Sequence, residues 1–551
     1  MRKHLYNRRQ ALFTVTKGAF AGPTVVLGLH RARADNRPTS EVGVVEGRPT
    51  AAEEVGNNVL QAGGNAIDAC VATGLVAGVV APHQCGIGGY GGHMTIARAD
   101  TRKITSIDFN SMAPAAARPD MYPIEKNGVV RGNVHYHGWL AAGVPGTMAG
   151  LQLALDLYGT RSFGELVQPA IRFARDGFVV GAGLAGAVRR AVPQFARDPA
   201  SSQLLLRDGQ PLDASAIYRN PELAAMLETL ATRNSVDSFY RGDIAQQIAQ
   251  GFAGGGGLVN AEDMAAYRAK EVKPLALPWR EFTIHTAPLT AGGMTTLEAL
   301  SILKALGSKH EPNDPAQTHA RLEILRVAWK DRLSLFGDPQ HVDVPVERLL
   351  SEEYAKEVAS RVGQAVQTRE PLSIVANQRP QGGTVHFSAA DRHGNMVALT
   401  MTHGAGFGAR VTVPGLGLIL GHGMSRFDPR PDHPNSPGPR KRPLHNMCPT
   451  IVSNEGTAVL ALGGSGGRKI PNALFEVLAQ YVGRDASMAE AVAAPRLHTE
   501  GTLNTTLDAP APDSHLRYLK QIGYQIRRGN SAVVAAVSHD ANTGRCLGVS
   551  R

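Results

Sequence analysis

Cysteine is scarce in this sequence, with four residues in 551 and no Cys-x-x-Cys spacing, which argues against a zinc ribbon. Cys70 and Cys85 are near enough in sequence to form a disulfide in an oxidising compartment. Buried free thiols are the simpler interpretation. Aromatic residues make up only 5% of the chain, whereas glycine is abundant at 61 residues. That balance suits an enzyme with many tight turns and exposed backbone.

Clusters of basic residues are also few, although the formal net charge is +10. Seven lysines and arginines lie within residues 1–34, which contain no acid, so the rest of the chain carries about +3. Beyond that segment the one basic cluster is Arg440-Lys441-Arg442. This distribution argues against a nucleic-acid partner.

Residues 1–34 have the layout of an export signal. Paired Arg8-Arg9 precede a modestly apolar run over 19–29, and Ala32-Arg33-Ala34 supplies small residues where a signal peptidase cuts. The run is too short and too interrupted to span a bilayer comfortably, although an uncleaved anchor is the alternative. We predict twin-arginine export to the periplasm or the medium, a mature start at Asp35, and no stable membrane insertion afterwards.

Helical patterns dominate the chain before about residue 380, and strand patterns dominate after it. Helices are predicted over 51–62, 66–80, 147–157, 163–176, 220–232, 241–252, 297–306 and 316–336, and paired strands over 94–97 and 104–109. Residues 365–383 are polar and predict a linker. The sequence therefore favours helices packed on stacked sheets.

A β-hairpin follows that linker directly. Val385 and Phe387 alternate with polar residues, Gly394-Asn395 predicts a tight turn, and a second apolar run leads to Thr402. Gly382-Gly383-Thr384 lies at the start of the hairpin. Thr384 is therefore either the first residue of a strand or a nucleophile exposed by cutting the chain before it.

Many segments, in order, resemble the γ-glutamyltranspeptidase family over nearly all of residues 40–550. They are Gly63-Gly64-Asn65-Ala66-Ile67-Asp68-Ala69, Gly86-Ile87-Gly88-Gly89, Ile107-Asp108-Phe109, Val144-Pro145-Gly146-Thr147, Gln168-Pro169-Ala170, Thr384-Val385-His386-Phe387-Ser388, Arg442-Pro443-Leu444, Met447-Cys448-Pro449-Thr450 and Gly466-Gly467.

The resemblance implies an α+β fold, a four-layer αββα sandwich of the N-terminal-nucleophile hydrolase type. It also implies self-cleavage between Gly383 and Thr384 into a large subunit, 35–383, and a small catalytic subunit, 384–551, which form one intertwined unit. The expected partner besides these subunits is a small-molecule amide substrate, and the family needs no cofactor and no metal.

The catalytic roles carry over by position. Thr384 matches the nucleophile, and its freed α-amine, with an ordinary pKa near neutrality, serves as the base for the hydroxyl. Thr402 matches the threonine that hydrogen-bonds the nucleophile. Gly466 and Gly467 match the glycines whose N–H groups bind the oxyanion.

The residues that clamp a γ-glutamyl group in the family are largely replaced. The arginine that binds its α-carboxylate corresponds to Asn110, and the asparagine, glutamine and aspartate around its α-amine correspond to Gly404, Gly423 and Arg426. The paired serines correspond to His445 and Asn446. His403 lies beside these positions in sequence. Together these residues form the predicted substrate site.

An arginine in place of an aspartate repels an ammonium group, so a free amino-acid head is disfavoured. Arg426, His445 and Asn446 instead suit a carboxylate-bearing acyl group that lacks an α-amine, either oxamate-like or of the glutaryl-acylase kind. The alternative is that Arg426 turns outward and pairs with Asp428. Two further functions stay open: true γ-glutamyl hydrolysis or transfer, and an unprocessed, non-catalytic binding protein.

Overall fold

The computed structural model describes residues 39–307, 314–374 and 383–551. The predicted export signal lies outside these ranges. Within them, two six-stranded, fully antiparallel sheets form the centre of the fold. No helix in the described ranges is both long enough and apolar enough to cross a membrane.

Strands of the two sheets are numbered along the chain. The first sheet runs β1 (Gly43–Gly47), β7 (Val385–Asp391), β8 (Met396–Thr402), β2 (Gly91–Ala97), β3 (Ile104–Asp108), β4 (Lys270–Val272). The second runs β12 (Cys546–Ser550), β11 (Val533–His539), β10 (Thr457–Ser465), β9 (Thr450–Asn454), β6 (Phe282–Thr286), β5 (Leu275–Trp279). Each sheet therefore combines strands from both sides of Thr384.

Twelve helices of nine or more residues lie within the described ranges. They are α1 (Thr50–Gln61), α2 (Ala66–Val80), α3 (Thr147–Tyr158), α4 (Gln168–Asp176), α5 (Ala182–Phe195), α6 (Pro221–Arg233), α7 (Asp243–Gly255), α8 (Gly293–Leu306), α9 (Pro315–Leu335), α10 (Glu352–Thr368), α11 (Lys469–Arg484) and α12 (Asp513–Gln521). Shorter helices span Phe163–Leu166, Pro199–Leu205, Asp237–Arg241, Ala261–Ala266, Val346–Leu349 and Met488–Ala493. Short strands lie at Phe178–Val179, Leu206–Arg207, Gln210–Pro211, Ile217–Tyr218, Thr412–Val413, Leu418–Ile419, Leu497–His498, Asn504–Leu507 and Gln525–Arg528.

Three apolar clusters separate four layers. Small residues such as Ala390, Ala398 and Ala461 fill the space between the sheets. The outer face of the first sheet packs on α1 and α2, and that of the second packs on α8, α9 and α11. The predicted α+β sandwich is confirmed, because side chains alternate along each strand between the inter-sheet and the helix-facing side.

Helix α2 follows its sequence signals closely. The Asn65 side chain accepts hydrogen bonds from the N–H groups of Ile67 and Asp68, and the Asp68 carboxylate accepts from the N–H of Asn65. This reciprocal cap fixes the first turn. Nearly every residue of the helix is buried, which explains why its sequence is apolar on all sides.

Two predicted elements needed correction. The helix predicted over 163–176 is broken at Val167, because Gln168-Pro169 begins a separate helix and proline suits only a first turn. The linker predicted over 365–383 begins later than expected, because α10 continues to Thr368 and ends where Arg369 adopts φ 58°. The four cysteines are buried free thiols, so Cys70 and Cys85 are not bridged.

Candidate active site

The predicted nucleophile lies at the start of the confirmed hairpin of β7 and β8. Thr384 immediately precedes β7 and is only 8% exposed. Gly383 before it has φ +91°, and a Cβ there would lie 3.0 Å from the backbone of Ala405. Only glycine adopts this left-handed conformation without strain. The turn before Thr384 therefore depends on Gly383.

Two threonine hydroxyls converge on the carbonyl oxygen of Gly383. Thr384 Oγ1 donates to it at 2.6 Å and Thr402 Oγ1 donates at 2.5 Å. The N–H of Gly404 donates to Thr402 Oγ1 at 2.7 Å, which leaves the Thr402 proton free to point at the carbonyl. The two hydroxyl oxygens are 3.5 Å apart. This arrangement polarises the Gly383–Thr384 peptide and holds a hydroxyl beside it.

His386, two residues beyond Thr384, is not available as its base. Its ring nitrogens lie 2.8 Å from Thr400 Oγ1 and 3.0 Å from Ser388 Oγ. Burial lowers the pKa of His386 to about 3, so the imidazole is neutral. Its function here is to fill the space between the sheets, where Gly463 leaves room for the ring.

Gly466 and Gly467 follow β10 and precede α11, with φ 149° and 64°. The contact between His386 and Gly463 brings the end of β10 to the beginning of β7, and so towards Thr384. In the part of the chain that the structure describes, neither amide donates to a protein acceptor. Two free amides just after β10, a strand that packs against β7, suit an oxyanion site.

Arg426 turns inward. It is 7% exposed, it donates through Nη2 to the carbonyl oxygen of Gly404, and Nη2 lies 3.5 Å from His422 Nε2. Asp428 instead forms a two-point ion pair with Arg430, at 2.8 and 2.7 Å. The predicted alternative of an outward Arg426 paired with Asp428 is therefore wrong.

His422 fixes the orientation of Arg426. Burial, reinforced by the charge of Arg426, holds the pKa of His422 well below its usual range, so the ring is neutral. Its Nδ1 lies 3.1 Å from the carbonyl oxygen of Tyr136 and must carry the proton. The lone pair on Nε2 consequently faces the guanidinium. The neutral ring therefore accepts from the arginine side and has no positive charge of its own with which to bind an anion.

Asn110 is buried and largely engaged by protein groups. Its Nδ2 donates to Thr290 Oγ1 at 2.6 Å and to the carbonyl oxygen of Pro443 at 2.7 Å, while its Oδ1 has no partner. Asp108, two residues earlier, pairs with Arg442 at 2.7 Å. The side chain at position 110 therefore braces the 443–446 segment and offers one acceptor, rather than a cation.

His445 and Asn446 lie on that segment and are both buried. The N–H of Met447 donates to His445 Nδ1 at 3.1 Å. Burial, with the nearby His93 next in weight, holds the pKa of His445 well below its usual range. In the neutral ring the proton then lies on Nε2, which has no partner. His445 thus presents an unused donor.

The other predicted residues have backbone or packing roles. Gly404 has φ +97°, and a Cβ there would lie 2.2 Å from the His422 ring. Gly423 packs against Ser111 and Tyr90, where a Cβ would lie 2.4 Å from Ser111 Oγ. The ring of His403 packs against Gly86, so the structure does not bring this side chain to Arg426 and His445.

Sequence reasoning missed two residues beside this site, Arg332 and Tyr90. Arg332 Nη2 donates to the carbonyl oxygen of His445 at 2.6 Å and to Asn446 Oδ1 at 3.2 Å. Burial raises the pKa of Tyr90 to about 12, and the positive charge of Arg426 opposes that rise. The available signal for Arg332 is a charged residue in α9, a helix buried along most of its length.

No group of three or more histidine, cysteine, aspartate or glutamate side chains suited to a metal occurs in the described ranges. His403, His422 and His445 are separately engaged or packed, as described above. The site therefore consists of hydroxyls, amides, arginines and neutral histidines.

Comparisons with known proteins agree with one another. The profile of the family described as gamma-glutamyltranspeptidase matches residues 52–550. A glutathione hydrolase proenzyme of Pseudomonas sp. (strain A14) is 34% identical over 475 residues, covering 84% of this chain and 82% of that protein. An acylase ACY 1 proenzyme of Pseudomonas sp. (strain V22) is 32% identical over 498 residues, covering 89% and 88%. The structure of a cephalosporin acylase from Bacillus halodurans superposes with a TM-score of 0.84 at 25% identity, covering 96% and 98%.

Proposed function

This chain belongs to the γ-glutamyltranspeptidase family, and from that premise we propose that it cuts itself and then hydrolyses amides through an ester on Thr384. Its relatives are enzymes, both hydrolases and acylases, and the chain is an N-terminal-nucleophile amidohydrolase of this family. The observation that carries the proposal is the pair of hydroxyls on the carbonyl oxygen of Gly383.

Self-cleavage begins when Thr384 Oγ1 attacks the carbonyl carbon of Gly383. Thr402 donates to the oxygen as negative charge develops there. The Gly383–Thr384 C–N bond breaks, and the hydroxyl proton ends on the departing nitrogen. Water then hydrolyses the resulting ester, which leaves a carboxylate on Gly383 and a free amine and hydroxyl on Thr384. The products are the fragments 35–383 and 384–551.

Turnover repeats the same chemistry on an external amide. The α-amine of Thr384 takes the hydroxyl proton as the oxygen attacks the substrate carbonyl, and it returns a proton to the leaving amine. The amides of Gly466 and Gly467 stabilise the tetrahedral oxyanion. Loss of one such donor typically costs about 3 kcal/mol of transition-state stabilisation. Water then releases the acid and restores the hydroxyl.

The acyl group in this proposal carries a carboxylate and lacks an α-amine, as in oxamate-like or glutaryl amides. Arg426 supports this choice, because it is buried beside the nucleophile through Gly404 and Thr402. An ammonium at this position would meet a fixed positive charge instead of an acid. Asn110 also supplies no cation for an α-carboxylate.

A second candidate is γ-glutamyl hydrolysis or transfer, favoured by the glutathione hydrolases among the similar proteins. Purified enzyme assayed with γ-glutamyl p-nitroanilide and with glutaryl p-nitroanilide separates the two candidates. These substrates differ only by the α-amine. Faster turnover of the γ-glutamyl compound would contradict the proposed acyl group while leaving the nucleophile in place.

Self-cleavage is tested by a denaturing gel and intact-mass measurement of purified wild-type protein. We expect two fragments, the smaller beginning at Thr384. A full-length chain that persists and is inactive would favour a binding protein instead. Export is tested by fractionating cells that express the full chain. Mature protein beginning at Asp35 in the periplasm or medium, lost when Arg8 and Arg9 are changed to lysine, is the expected result.

A further inference from the structure

Two buried hydrogen-bond donors of the predicted substrate site have no protein partner. They are Nε of Arg426 and Nε2 of His445. Tyr90 lies near both side chains: burial raises its pKa and the charge of Arg426 opposes that rise, and the Tyr90 ring lies 6.3 Å from that of His445. Buried donors in folded proteins almost always have an acceptor. Two unused donors in one neighbourhood indicate an acceptor that arrives with a ligand.

Positive charge in this neighbourhood also lacks an opposite charge. Arg442 pairs with Asp108, and Arg468 pairs with Glu500 at 2.8 Å. Arg332 and Arg426, both more than nine-tenths buried, have no carboxylate partner in the described ranges. Burial, with Arg468 next in weight, lowers the pKa of Arg332 to about 9, so it stays charged at neutral pH. Two buried cations without an acid are costly unless an anion binds.

We propose that Arg426 Nε and His445 Nε2 donate to the carboxylate of the acyl group and that Arg332 is the positioning residue behind them. Arg332 holds the His445–Asn446 segment through two hydrogen bonds and adds a second positive charge. Arg426 Nε and His445 Nε2 cannot accept from an ammonium, and the unpartnered acceptor Asn110 Oδ1 carries no negative charge to attract one. This inference deepens the proposed function, on which it rests, and names monoamides of dicarboxylic acids as the substrate class.

The first test needs no mutation. Processed wild-type enzyme is assayed with p-nitroanilides of dicarboxylic acids from oxalyl to adipyl, each paired with an alkanoyl anilide of matched length in which a methyl group replaces the carboxylate. A charge-assisted contact supports roughly a tenfold to hundredfold higher kcat/KM for at least one acid over its partner. Equal or faster turnover of every neutral partner would overturn the inference.

Single variants then test which residues produce the preference for acids. Arg426→Gln, His445→Leu and Arg332→Gln should each lower the acid-to-neutral ratio of kcat/KM at least about tenfold, largely through KM. Arg332→Lys should restore most of the ratio, because it keeps the charge, whereas a purely structural loss would not be rescued selectively for acids. Arg430→Gln is the matched control, since that arginine is about half exposed and pairs with Asp428. Its ratio should equal that of wild type.

The self-cleavage gel separates the two levels of proposal. Variants that cut themselves normally and turn over neutral anilides, yet lose the preference for acids, support the anion site. Wild type that cuts itself and shows no preference overturns the anion site alone. Wild type that neither cuts itself nor hydrolyses any anilide overturns the proposed function first. Should Arg332→Gln fail to fold, inhibition of wild type by glutarate but not by glutaramide decides instead.

Discussion

The regions around Thr384 and around Arg426 differ in how fully their polar groups are paired within the protein. At Thr384 the groups are neutral: the hydroxyls of Thr384 and Thr402 both donate to the carbonyl oxygen of Gly383, and the N–H of Gly404 donates to Thr402 Oγ1. Around Arg426 two donors, Arg426 Nε and His445 Nε2, have no protein partner, and no carboxylate in the described ranges pairs with Arg426 or Arg332. A region that acts on its own backbone can be complete before any substrate arrives. A region that recognises a ligand is left incomplete until the ligand binds.

The largest effect is expected from removing the nucleophile of the first region. Thr384→Ala should abolish self-cleavage and amide turnover together, a loss of at least about 10⁴-fold, because both use the same oxygen. Gel analysis and an anilide assay measure the two outcomes. Thr384→Ser, which keeps the hydroxyl, should retain part of both. Survival of either activity in the alanine variant would remove Thr384 from that role.

Reversing the charge of the second region should have the next largest effect. Arg426→Asp should lower kcat/KM for glutaryl p-nitroanilide by about a hundredfold and raise it for γ-glutamyl p-nitroanilide, since an acid attracts the ammonium. Self-cleavage should continue, because the scissile peptide is held by threonines. Equal losses on both substrates would show that Arg426 supports the fold rather than the acyl group.

A smaller change should separate maturation from turnover. Gly383→Ala places a Cβ 3.0 Å from the Ala405 backbone at a φ of +91°, which should slow self-cleavage about tenfold for a penalty of 1–2 kcal/mol. Mature enzyme that does form should turn over normally. Gly406→Ala is the control, because a Cβ there meets nothing within 4 Å. The time course of the precursor band measures both.

The smallest expected effect is a loss of stability at low pH. Burial lowers the pKa of His386 to about 3 and, again with burial as the main cause, of His93 to about 4. In the unfolded chain these rings take up protons as the pH falls through about 6.5, whereas in the folded chain they stay neutral. The free energy of unfolding is therefore unaffected by these histidines above that pH and decreases as the pH falls below it. Each histidine should lower the free energy of unfolding by about 1.4 kcal/mol at pH 5.5. Thermal unfolding of wild type and His386→Gln measures the slope, which should be shallower in the variant.

The sequence predicted the first region better than the second. Gly394-Asn395 and the alternation around Val385 specify the hairpin locally, and the resemblance of Thr384 and Thr402 to family residues gave them roles that the geometry supports. Arg426 was expected to face the substrate, yet its direction depends on His422 and Gly404, which only the fold brings together. Arg332 lies on a helix far along the chain, so no local pattern connects it with His445.

The interleaved sheets determine how the two proposed fragments stay associated and how they can refold. In the first sheet β7 and β8 lie between β1 and β2, so strands that follow Thr384 are held between strands that precede it. The proposed cut leaves these ladders unbroken, so we expect the two fragments to stay together. Once denatured, however, they must find each other by collision, so recovery should depend on protein concentration, whereas the uncut chain refolds as one molecule. We therefore expect the protein to fold efficiently before the cut and to refold poorly after it.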